Sequence, residues 1–159
     1  MTTRETKLQT FQYKIINRII PCKKWLFDQN VIPSPYCTLC KDNCIDTILH
    51  HFIECSELRT FWRSLESWWN QSSNLKVQLT KKHIIFGIYY DNLEFITVNY
   101  VILLAKWYIY THVYHERKVE LYGFLVALKS HLEIEKQVCY YNGKCEEFTK
   151  KWIGVYNKL

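Results

Sequence analysis

The sequence predicts a mostly α-helical protein, a small helical bundle, on three observations. Apolar residues recur at three- and four-residue intervals through several segments of 10 to 20 residues. Only 4 Gly and 3 Pro interrupt 159 residues, too few for a turn-rich sandwich or barrel. The aromatic load is heavy, 8 Phe, 12 Tyr and 6 Trp, which suits long helices packing large rings. A hydrophobic share of 48% with 23% charged residues excludes wholesale disorder.

The first helix is expected over Thr6–Ile20, where Leu8, Phe11, Ile15, Ile16 and Ile19 form a stripe. Pro21 stops it. A short helix over Cys22–Gln29 should turn Trp25 and Leu26 inward, and Val31-Ile32-Pro33-Ser34-Pro35-Tyr36 reads as an extended connector. Asp46 is a candidate cap for a helix running towards Cys55. Another helix starts near Ser56 and carries Leu58, Phe61, Trp62, Leu65 and Trp68. In it Trp62 should seal the metal-binding helix that runs towards Cys55 against the first one, while Trp69 is expected at the surface.

Residues 70–74, NQSSN, are the best linker, dividing residues 1–70 from a helical extension over 75–159. Thr80 can cap KKHIIFGIYY, which periodicity does not resolve between helix and strand. Leu93–His115 follows. Its stretch Phe95–Tyr114 approaches the roughly 20 residues of a membrane span, but Asn99, Lys106 and His112 interrupt it. A helix buried on most sides, with no membrane contact, is the expectation. A helix over Glu120–Val138 should bury Leu121, Phe124, Leu125, Leu128, Leu132 and Val138, and one over Glu146–Tyr156 closes the chain.

The seven cysteines are an odd number, and the polar N-terminal segment has no apolar core of a secretory leader. A reducing compartment, cytoplasm or nucleus, is therefore expected, where clustered thiols bind metal rather than pair. Cys37-x2-Cys40, nine residues, His50, four residues and Cys55 have the spacing of a zinc knuckle: two thiolates on one tight turn, then an imidazole and a thiolate a helical turn further on. Such a closed set of four predicts one structural Zn2+, with no position for an activated water. His51 competes with His50. On a regular helix His51 and Cys55 share a face, whereas His50 and Cys55 stand roughly 140° apart. Cys44 is a fifth candidate, and Cys139 and Cys145 read as free thiols.

At these residues the sequence resembles the C-terminal zinc-binding region of non-LTR (LINE-type) retrotransposon reverse transcriptases. The likeness rests on Ile20-Pro21, Leu26, Ser34-Pro35-Tyr36-Cys37-Thr38-Leu39-Cys40, Thr47-Ile48-Leu49-His50, Cys55 and Trp62, in order, and covers residues 7–70. A looser similarity to the tails of vertebrate-type elements extends over Thr80, Ile85-Phe86-Gly87 and Asn99–Lys106. The resemblance implies that Cys37, Cys40, His50 and Cys55 are the ligands and that Cys44 lies outside them. It also implies a tail module that grips RNA or DNA beside a polymerase.

No polymerase, endonuclease or hydrolase residues accompany the motif. The four aspartates, Asp28, Asp42, Asp46 and Asp91, include no adjacent pair of the kind that holds two magnesium ions. A non-catalytic module is expected. A net charge of +6 favours a polyanionic partner. Residues 1–35 concentrate it, with Arg4, Lys7, Lys14, Arg18, Lys23 and Lys24 against Glu5 and Asp28, whereas residues 41–75 are net acidic. Lys7, Lys14 and Arg18 should form one basic ridge, with Lys23 and Lys24 beside Trp25 as the other nucleic-acid contacts; Lys81-Lys82 and Lys150-Lys151 could extend the face. The competing expectation is a protein partner, a parent-type reverse transcriptase or another chain, docked on the aromatic-rich helices of residues 93–138, or self-association through them.

Overall fold

The computed structural model describes residues 5–89 and 93–159. Arg4, Tyr90 and Asp91 lie outside the described residues. Among the described residues the chain is helical, without a strand: α1 (Thr6–Ile16), α2 (Lys23–Asp28), a π-helical turn (His50–Glu54), α3 (Ser56–Ser72), α4 (Lys81–Phe86), α5 (Leu93–Tyr114), α6 (Leu121–Tyr141) and α7 (Cys145–Tyr156).

Helix α5 organises the rest. It packs against α1, the π turn, α6 and α7, and its run Tyr100–Lys106 is buried without a break. A helix that is apolar all round has no solvent face to offer, so the bundle closes around it. No helix among the described residues is long and apolar enough to cross a membrane. Lys106, within that buried run, is only 2% exposed. Its ammonium donates to Gln12 Oε1 and, at 3.2 Å, to the Ile85 carbonyl. Burial without a carboxylate partner pushes its pKa down to about 7.

The core is continuous across residues 70–75. Phe11 of α1 meets Trp107 edge-on at 5.0 Å, and Phe61 of α3 meets Phe124 of α6 at 5.8 Å. Helix α3 runs through the proposed linker to Ser72. Beyond it, Asn70 grips Val77 by both backbone groups, at 2.8 and 2.9 Å, folding the connection back on the helix. Residues 81–86 resolve as a helix, started by a reciprocal cap in which Thr80 accepts from the His83 amide.

Several packing expectations change. Helix α1 ends at Ile16, so Ile16 and Ile19 point to solvent. Trp25 is 39% exposed and Leu26 only half-buried, because α2 is a single short helix lying at the surface. Trp69 is buried instead of exposed, its indole N–H donating to the Leu75 carbonyl at 3.0 Å where the chain doubles back. Val138 is exposed, since α7 covers a neighbouring face of α6. Trp62 is buried and meets the π turn, its indole N–H donating to the Phe52 carbonyl.

Candidate metal centre

The cysteine turn is built from a closed loop. Tyr36 and Ile45 pair in one antiparallel bridge, the Cys37 amide donates to the Cys44 carbonyl, and the Asp46 amide donates to the Pro35 carbonyl, both at 2.9 Å. Asn43 makes the reversal in the left-handed region, φ +50°, which Asn tolerates better than most residues. Inside the loop the Leu39 amide donates to Cys37 Sγ at 3.4 Å, a hydrogen bond that orients the sulfur.

The other two donors come from the π turn. Thr47, not Asp46, caps its entry: Thr47 Oγ1 accepts from the His50 amide at 3.2 Å. The Cys55 amide then bonds the His50 carbonyl, five residues back, at 3.3 Å. An i→i+5 turn is wider than an α turn. It reduces the roughly 140° offset of a regular helix, and the donor atoms of His50 and Cys55 come together. Regular helix geometry therefore misassigns the histidine here.

The result is a group of four. One donor atom each from Cys37, Cys40, His50 and Cys55 lies within 4.8 Å of every other, and three of the residues are buried. His50 Nε2 is 3.5 Å from Cys40 Sγ. A tetrahedral zinc with bonds near 2.3 Å to sulfur would set ligand atoms roughly 3.8 Å apart, so these donors fit a metal ion with slight contraction. The thiols already interact: hydrogen bonding from Cys55 holds Cys37 down to about 4, while the same bond pushes Cys55 up. Burial raises Cys40. A divalent cation is the natural replacement for the protons these sulfurs now divide.

His51 faces elsewhere, towards a device the sequence did not announce. Its Nδ1 donates to Asp46, 2.9 Å to Oδ2, and Asp46 also accepts from the Lys23 amide at 3.0 Å. Asp46 is 1% exposed. Burial would raise its pKa, but the His51 hydrogen bond and charge and the Lys23 amide together hold it below the ordinary value. This buried carboxylate ties the start of α2 to the π turn and keeps His51 away from the sulfurs. Cys44 Sγ points to the Asp42 carbonyl; with Asp42 it makes a second metal-capable group only by sharing Cys40. Among the described residues Cys139 and Cys145 join no such group.

Of the three cations expected to form one helical ridge, Lys7 and Lys14 share α1 and Arg18 does not. Lys7 and Lys14 stand exposed on α1. Arg18 has left the helix, with φ +57°. Lys23 approaches Glu116 at 3.7 Å, and Lys24 pairs with Asp28 at 2.6 Å. Lys81, Lys150 and Lys151 likewise have carboxylate partners, Glu54, Glu146 and Glu135. No family model matches the chain, and no curated protein or solved structure matches it either.

Proposed function

We propose that the chain is a non-catalytic nucleic-acid-binding module, derived from the tail of a non-LTR retrotransposon reverse transcriptase and held in shape by one structural Zn2+. The observation that carries the reading is the convergence of Cys37, Cys40, His50 and Cys55 within 4.8 Å, three of them buried. Three thiolates and an imidazole fill a tetrahedron, leaving no site for a substrate or a nucleophilic water. The ion would act by fixing the loop and the π turn against α5, and a reducing cytoplasm or nucleus would keep the thiols available. Nucleic acid is the partner favoured by the +6 charge and by the exposed cations Lys7 and Lys14 on α1.

Metal analysis of protein purified without added zinc tests the site: one zinc per chain is expected, falling to none in Cys37→Ser or Cys55→Ser. Zinc-free, fully folded protein would refute it.

A second reading has its own support. Helix α6 turns Tyr122, Val126, Ile134, Val138 and Tyr141 to solvent along its length, an apolar row suited to another protein or a second copy. Salt separates the two. Affinity for nucleic acid falls steeply between 50 and 200 mM salt, while apolar docking barely responds.

A further inference from the structure

We infer that the groove between α1 and the middle of α5 takes an unpaired stretch of nucleic acid, a base lying against Trp107 and its flanking phosphates held by Lys7 and Lys14. The inference rests on the nucleic-acid reading above and places its binding surface.

The groove has a volume of about 390 Å³, within the range of clefts that hold small organic groups. Its two walls differ in chemistry. Lys7, Thr10 and Lys14 recur at three- and four-residue spacing on α1 and line one side; Trp107 and Tyr110, three apart on α5, line the other. The lysines rise from backbone positions roughly 10 Å apart along the helix axis, which lets them straddle a base with a phosphate on either side. Among the described residues no carboxylate lines the groove.

The indole is already an electrostatic target and is already fixed. Lys7 Nζ lies 4.3 Å from the Trp107 ring centroid, and Phe11 abuts the same ring edge-on at 89°. Trp107 is only half-buried, so a base that displaces the flexible ammonium from its face would leave Lys7 free to follow the phosphate. A rigid ring with mobile cations beside it is the arrangement that binds single strands with little sequence preference. A larger cleft of about 440 Å³ lies between α5 and α6, but neither lysine nor arginine lines it. It lacks the charge that a phosphate backbone needs.

The test is fluorescence anisotropy of the zinc-loaded full chain with a labelled 12-mer of deoxythymidine, the same length of duplex, and oligoglutamate of matched charge. Wild type should prefer the single strand. Trp107→Leu should weaken single-strand binding by about tenfold and leave duplex binding nearly unchanged, while Trp107→Phe keeps most of the affinity. Lys14→Gln, a change at an exposed position, should reduce the salt slope by roughly 0.7. Metal content and melting temperature, unchanged in each variant, exclude misfolding. If wild type binds the strand but both Trp107→Leu and Lys14→Gln bind equally well, the groove assignment fails and the nucleic-acid reading survives. If wild type binds no strand, both fail. Equal binding of oligoglutamate with the same Trp107 dependence would give the groove to an acidic protein and overturn the proposal.

Discussion

Between Gln29 and Thr47 the chain contains no helix, whereas from Leu121 to Tyr156 only three residues are not helical. The two regions hold their shape by different means. The first is fixed by point contacts: one β-bridge, the reciprocal amide bonds around Cys37 and Asp46, and the donor cage. The second is fixed by area, with Phe124, Leu128, Leu132, Phe148 and Trp152 buried against α5 and α3. Removing a few atoms should therefore undo the first region, while the second should yield in proportion to the volume removed.

Chelation gives the largest contrast. A structural zinc contributes on the order of 10 kcal/mol to folding in small domains. Amide exchange after metal removal should lose protection over residues 22–55 and retain it over residues 98–113 and 124–139. Uniform loss, or none, would break the distinction. The converse experiment is Trp152→Ala. Its ring is fully buried, with the indole N–H donating to Glu135 at 3.0 Å. The expected loss is about 3–5 kcal/mol, read by urea unfolding, with metal stoichiometry unchanged at low temperature.

Helix α5 lies between the two regions, and Lys106 probes it through pH. Its folded pKa, about 7, lies below the 10.5 of an ordinary lysine. Below pH 7 both states carry the charge and the fold bears the full desolvation penalty. Between pH 7 and 10.5 the unfolded chain binds more protons, so stability rises with pH. Wild type should thus gain on Lys106→Met by on the order of 3 kcal/mol between pH 7 and 10. The raised tyrosines Tyr108 and Tyr110 act in the opposite sense but are present in both proteins and cancel. Parallel stability curves would show that the ammonium is solvated.

The helices were legible because their signal is periodic and local. The limits of α5 and α7 lie within a residue of expectation, α3 starts where expected but runs on into the expected linker, and the four donors can be named from spacing and family resemblance. Three features were hidden for one reason: each depends on a partner distant in sequence or on a non-standard turn. The π turn reverses the choice that α-helical geometry makes between His50 and His51. Asp46 looks like a cap, yet it is a buried acceptor for Lys23, 23 residues away. Trp107 falls in a helix that reads as buried on most sides, and nothing marks it out until α1 supplies Lys7 across the groove.

The smallest expected effect tests how tightly the helical region is packed. Gly123 lies where α6 crosses α5. A Cβ built there would sit 2.4 Å from the Tyr108 hydroxyl, closer than real contacts allow. The hydroxyl ends a ring that is itself buried, stacked on Phe61 at 6.3 Å and edge-on to Phe124 at 5.7 Å, so it has little room to retreat. Gly123→Ala should gain helix propensity of up to about 1 kcal/mol but lose more to overpacking, about 1–3 kcal/mol. The net change should be destabilising by thermal unfolding. Adding Tyr108→Phe removes the clashing oxygen, and the double variant should recover most of the loss. Such coupling at one contact, with no change in zinc content, would show that the helical region answers to volume alone. If Gly123→Ala proves stabilising by itself, the α5–α6 crossing is looser than the packing of Tyr108 implies.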